Sequence, residues 1–117
     1  MKVLILCLAL LLPSIAQAEE LWKITAYCSC KICCGKSDGI TASGKQARQG
    51  YVACNWLPFG TKLNIEGLGD FVVMDRGAKS LFGSKANKVK HLDIWCHSHM
   101  KAKLFGVKYR RVIIYAK

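Results

Sequence analysis

Apolar residues in this chain come mainly in short runs broken by turn residues, a spacing that admits little besides a small sheet-based domain. Strands are predicted at Leu21–Tyr27, Tyr51–Cys54, Thr61–Glu66, Asp70–Met74, His91–Trp95 and Arg111–Tyr115. Glu66-Gly67-Leu68-Gly69 joins the third and fourth as a hairpin, because its glycines accept the positive φ of a tight turn. A helix is predicted over Ser98–Phe105, with Ala102, Leu104 and Phe105 as apolar contacts and Gly106 as its stop. Residues 77–90 carry Lys79, Lys85, Lys88 and Lys90 without periodicity and read as an exposed basic loop. The expected fold class is mainly β: six strands and one short helix, arranged as a closed barrel.

The long apolar run, Val3–Leu12, follows Lys2 and ends at Pro13, after which Ala16-Gln17-Ala18 supplies a small-residue cleavage site. This is the layout of a secretory signal peptide over residues 1–18, and the run is too short to span a bilayer. Cys7 does not make it a lipoprotein signal, since bulky Leu6 precedes it and the apolar run continues past it. Cleavage near Ala18 leaves residues 19–117, the length of one compact domain, with a secreted or periplasmic destination. No integral membrane segment is expected after cleavage, and a monomer is expected. The formal charge of +11, one unit of it from Lys2, favours polyanionic partners. Export directs that preference to cell-wall polymers, and no helix-turn-helix or finger pattern points to nucleic acid.

Export also permits disulfides, and Cys28, Cys30, Cys33, Cys34, Cys54 and Cys96 allow fifteen full pairings. The Cys-x-Cys-x-x-Cys-Cys cluster at Cys28 to Cys34 can alternatively hold zinc through four thiolates. Its spacing is tighter than the usual two pairs divided by a long loop, so both readings stay open. No catalytic metal and no cofactor are expected. His91, His97 and His99 are neighbours in sequence but follow no H-E-x-x-H pattern, and no serine or cysteine nucleophile signature is present. Trp56, Trp95, Tyr27 and Tyr51 are candidate platforms for sugar rings, although core packing is the commoner fate of such residues.

Of the seven acidic residues, Glu19 and Glu20 sit next to the cleavage site, and Glu66 and Asp70 bracket a turn. Asp75 ends the apolar run Phe71–Met74, and Asp93 lies inside Leu92-Asp93-Ile94-Trp95. Alternation places Leu92 and Ile94 on one face of a strand, with His91, Asp93 and Trp95 on the other. A carboxylate within an apolar strand is desolvated, paired or functional. Desolvation would hold its proton to higher pH and suit it to general acid work, whereas pairing with a cation such as Arg76 would do the opposite.

Several segments in order resemble the 3D domain of bacterial cell-wall lytic enzymes. They are residues 25–30 (Thr25 to Cys30), Cys33-Cys34-Gly35, residues 38–44 (Asp38 to Gly44), Tyr51-Val52-Ala53 and residues 57–61 (Leu57 to Thr61). Val73-Met74-Asp75-Arg76-Gly77, His91-Leu92-Asp93-Ile94-Trp95 and the stretch from His99 to Lys108 complete the set. The resemblance covers nearly all of residues 24–115 and implies a six-stranded double-psi β-barrel. It further implies a peptidoglycan lytic transglycosylase acting on glycan strands, with Asp93 as catalytic acid/base and Asp75 orienting or polarising the site. Thr41, Ser43 and Lys45 would contact the glycan. The family is named for three aspartates; here Asn55 stands at the first position, keeping hydrogen-bonding ability but not charge, and takes a substrate-binding role. The stretch between Asp75 and Asp93 is longer than is usual for the family.

Two other readings remain. An inverting glycoside hydrolase would use Asp75 as base and Asp93 as acid. A non-catalytic wall-binding or wall-loosening barrel would be similar to the RlpA-like and expansin groups, which Leu57 to Thr61 and Asp75-Arg76-Gly77 also resemble.

Overall fold

Pleating sends alternate side chains to opposite faces of a strand, and the apolar positions two residues apart are the ones this fold buries. Trp22 and Ile24, Leu63 and Ile65, and Leu92 and Ile94 meet in one core with Val52, Cys54, Leu57 and Val73. The structure is a computed structural model that describes residues 20–116; the expected signal peptide, residues 1–18, lies outside them. Its strands are β1 (Trp22–Tyr27), β2 (Tyr51–Ala53), β3 (Lys62–Ile65), β4 (Gly69–Asp75), β5 (His91–Trp95), β6 (Lys108–Arg110) and β7 (Val112–Ala116). Three short helices accompany them: α1 (Lys31–Cys34), α2 (Lys79–Phe82) and α3 (His99–Phe105).

All seven strands belong to one mainly β sheet in the order β6-β1-β5-β2-β4-β3-β7. β1 runs parallel to β5, and β2 runs parallel to β4, while the central β2 and β5 are antiparallel. The two edge strands, β6 and β7, are separated in the chain by Arg111 alone, so the sheet curls into a half-barrel. The Glu66–Gly69 hairpin forms as expected: Leu68 N–H returns to the Ile65 carbonyl at 2.9 Å, and Gly67 takes φ 78°.

Strand and helix counts both exceed the sequence expectation of six and one. The extra strand, β6, is three residues long and pairs with β1, a length at which alternation carries no signal. The added helices, α1 and α2, have four residues each, one turn, again too short for a helical period. The expected helix appears as α3, capped by the Ser98 hydroxyl accepting from Lys101 N–H at 3.2 Å. No helix among the described residues is long and apolar enough to cross a membrane.

The segment expected to be an exposed basic loop is anchored at its start. Phe82 of α2 is 5% exposed and stacks on His91 with ring centroids 4.0 Å apart. Gly77 makes this seat available, because a Cβ there would lie 2.3 Å from the Phe82 ring. Phe82 is too enclosed to step aside. Gly77→Ala is therefore expected to destabilise the fold by about 1–3 kcal/mol, as overpacking does, measured by urea unfolding. Gly35→Ala, with nothing within 4 Å of its Cβ but φ 73°, supplies the comparison for backbone strain without a clash.

Candidate functional site

Four strands carry the site in a single transverse row. Thr25 on β1 is in register with Asp93 on β5, Asp93 with Ala53 on β2, and Ala53 with Asp75 on β4. The small Ala53 between two carboxyl-bearing strands leaves room above the sheet. Alternation alone would have turned Asp75 inward, since Val73 two residues earlier is fully buried in the core. A register shift between Val52 and Ala53 pairs Ala53 with Asp75 rather than Met74, and re-aims Asp75 to the outer face.

There Asp75 is held on both oxygens. The Tyr27 hydroxyl donates to Oδ2 at 2.6 Å, while the backbone N–H groups of Ala42 and Arg76 donate to Oδ1 at 2.8 and 2.9 Å. Burial, reinforced by the Asp75 bond, raises the Tyr27 pKa and keeps it a donor. Arg76 does not pair with Asp93. Its guanidinium donates to the Cys54 carbonyl at 2.7 Å and lies over the Phe59 ring.

Asp93 has a different environment. Burial is the main cause pushing its carboxyl from the ordinary 3.8 up to about 6, and the Asp75 charge adds to it against the Thr25 hydrogen bond. Thr25 Oγ1 donates to Asp93 Oδ1 at 2.9 Å and lies 2.8 Å from His91 Nε2. Asp93 Oδ2 has no partner among the described residues, and no buried polar side-chain atom there is left unsatisfied, so Oδ2 reaches solvent. Because a hydroxyl both donates and accepts, Thr25 can serve either state of Asp93. With Asp93 ionised, the Nε2–H tautomer of His91 donates to Thr25, which donates to Oδ1, and Nδ1 then gives up its bond to the Leu81 carbonyl. With Asp93 protonated, Thr25 can accept from it and turn its own hydrogen to Nε2, as Nδ1–H faces the Leu81 carbonyl at 3.3 Å. Burial also lowers the pKa of His91, which favours its neutral form.

Both aspartates line an open cleft of about 460 Å³. Tyr27, Thr41, Ala42, Ile40 and Leu81 contribute to its walls, Ile40 and Leu81 giving it apolar surface. Of the expected glycan contacts, Thr41 is in the wall, but its hydroxyl is 2.8 Å from Ser43 Oγ and donates to the Lys45 carbonyl at 3.0 Å. Ser43 and the exposed Lys45 are not among the lining residues. The loop they belong to instead delivers Ala42 N–H to Asp75.

Asn55 is likewise engaged by the backbone. Its amide nitrogen donates to the carbonyls of Gly77 at 3.0 Å and Gly83 at 2.8 Å, and its oxygen accepts from Gly77 N–H at 2.7 Å. Only an amide satisfies that set; a carboxylate would face two carbonyl oxygens. Three of the four candidate platforms are also engaged elsewhere. Trp56 stacks on Trp22 and donates to the Val89 carbonyl, Trp95 donates to Ser29, and Tyr51 is buried under Arg48. Tyr27 alone of the four lines the cleft. Thr25 was not legible as a site residue, because nothing short of strand register puts it beside Asp93.

No disulfide joins the described cysteines, and Cys54 is enclosed in the core without a partner sulfur. The histidines that are neighbours in sequence do not gather at one place: His91 joins Thr25, whereas His99 meets Cys28, Cys30 and Cys33. Those last four residues are the ones placed to hold a metal. No protein-family model matches the chain, and no curated protein matches it.

Two outcomes follow from the site. Below about pH 4 Asp93 is protonated in both folded and unfolded chains. Between about 4 and 6 the folded chain keeps a proton that the unfolded chain has released, so stability falls as pH rises through this window. Relative to Asp93→Asn, the native protein should lose about 1–3 kcal/mol between pH 3.5 and 7. Urea unfolding of both proteins across that range measures the difference. Asn55→Asp is expected to cost about 1–3 kcal/mol at pH 7 and less at pH 3.5, where a protonated carboxyl regains one donor.

Proposed function

We propose that the protein is an exported peptidoglycan lytic transglycosylase of the 3D-domain type, cleaving the β-1,4 bond between N-acetylmuramic acid and N-acetylglucosamine. The observation that carries this reading is Asp93: a cleft-lining carboxyl, one oxygen open to solvent, that retains its proton to about pH 6. The resemblance to the 3D domain assigns the acid/base role to this same residue. The strand pairing is compatible with a double-psi barrel, since two parallel pairs flank one antiparallel pair.

Protonated Asp93 delivers its proton to the glycosidic oxygen as the bond from that oxygen to C1 of the muramyl residue breaks. The muramyl C6 hydroxyl attacks C1, and its proton passes to the Asp93 carboxylate, which ends the cycle as it began. No water is consumed, and the product carries a 1,6-anhydro ring. One carboxyl suffices because the nucleophile is intramolecular, whereas a hydrolase that activates water generally needs two. Asp75, fixed by three donors, supplies negative charge beside the positive character that develops at C1, and its charge also helps Asp93 to retain a proton. Ile40 and Leu81 offer apolar surface to sugar faces. The net positive charge draws the protein to the anionic wall.

Mass spectrometry of purified peptidoglycan incubated with the protein tests this directly. Anhydromuropeptides are expected from the native protein and a loss of about a hundredfold or more from Asp93→Asn, in keeping with removal of a general acid. The native rate should fall about tenfold per pH unit above 6, where the acid form is lost. Reducing-end products would identify a hydrolase instead. Folded protein that co-sediments with the wall and releases nothing would identify a wall-binding barrel of the RlpA-like or expansin kind.

A further inference from the structure

We propose that Cys28, Cys30, Cys33 and His99 bind one Zn²⁺ as a closed structural site that clamps the turn after β1 to the start of α3. Their three Sγ atoms and one imidazole nitrogen all lie within 4.8 Å of one another. His99 Nδ1 is 3.8, 3.4 and 3.5 Å from the sulfurs of Cys28, Cys30 and Cys33, and the Cys28 and Cys33 sulfurs are 3.6 Å apart. Zinc at about 2.3 Å from sulfur and 2.0 Å from nitrogen has tetrahedral edges of about 3.8 Å between sulfurs and 3.5 Å from sulfur to nitrogen. The four observed edges scatter about those lengths, and the sulfur pair is far beyond the roughly 2.05 Å of a disulfide.

The surrounding chain gives a second, independent reason. Residues 31–38 are all exposed, α1 buries no residue, and Ile32 is 81% exposed. Apolar packing therefore does not account for the order of this segment, and a four-ligand metal does. Cys33 N–H donates to Cys30 Sγ at 3.4 Å, the kind of outer contact that orients a thiolate ligand. A soft set of three thiolates and one imidazole in tetrahedral array selects zinc over the hard cations. With four protein ligands no position is left for substrate, so the role is structural.

The ligand set differs from the four thiolates weighed from sequence. Cys34 Sγ instead donates to the Cys28 carbonyl at 3.2 Å and faces the cleft, and His99 takes the fourth corner. This position also links the clamp to the site. Cys28 directly follows Tyr27, the donor to Asp75, and Cys33 and Cys34 form part of the cleft wall.

Elemental analysis and native mass spectrometry of the purified full chain should find one zinc per molecule. Cobalt exchanged into the site should give sulfur-to-metal charge-transfer absorption and the intense visible bands of a tetrahedral ion. His99→Ala and Cys30→Ser are expected to lower zinc retained after dialysis by about tenfold or more, while Cys34→Ser and Cys96→Ser keep one equivalent. Should either ligand variant fail to fold, the cobalt spectrum of the native protein still decides the ligand class. A metal-free protein with a disulfide among Cys28, Cys30 and Cys33 would overturn the proposal. So would zinc that survives His99→Ala but is lost from Cys34→Ser. None of these readouts depends on activity, so the metal site and the transglycosylase reading stand or fall separately.

Discussion

A single residue, Arg111, divides the strands at opposite edges of the sheet, and this short link is the constraint on which the architecture rests. An open, flat sheet of seven strands cannot have consecutive residues at both edges. The sheet must curl, and curling gives it an inner face where Ile24, Leu63, Ile65, Val52, Val73 and Leu92 are removed from water. The backbone secures the junction: Glu66 N–H donates to the Arg111 carbonyl at 3.0 Å, beside the exposed ion pair of the same two residues. That ion pair adds little by itself, because solvent screens it. Hydrophobic burial on the concave side supplies most of the stabilisation.

The outer face carries the aspartate pair, with stability given up to hold it there. Asp93 sits one residue from Leu92 and Ile94, so the strand that anchors the core also drags a carboxyl out of bulk water. Thr25 limits the resulting penalty without cancelling it, and the fixed Asp75 charge works in the opposite direction. An acid that remains protonated near pH 6 follows from this balance. The two aspartates differ in environment as well as in strand: one accepts from three donors, and the other keeps an oxygen open.

The two walls of the cleft lie on segments outside the main core, and polar contacts help to hold both. On one side Asn55 ties together Gly77 and Gly83, with Phe82 seated against His91. On the other, three cysteines and a histidine converge where residues 31–38 bury nothing. Hydrogen bonds and metal ligation are directional, so they fix a rim more sharply than nonspecific burial would. Such rims keep a cleft open while its walls stay exposed.

The sequence by itself determined six of the seven strands, the hairpin, the capped helix and the division of β5 into a core face and an Asp93 face. Local patterning carries this information, because alternation, turn chemistry and caps act over a few residues. The same logic missed β6, α1 and α2, which are shorter than the periods that would reveal them. It would also have turned Asp75 inward, and only the register shift at Ala53 directs it to the cleft. Tertiary structure alone decided that Thr25 meets Asp93, that Asn55 serves the backbone, and that His99 rather than Cys34 completes the sulfur cluster. Each of those contacts joins residues far apart in the chain, and their meeting depends on strand register and on the curl of the sheet, which no local pattern encodes.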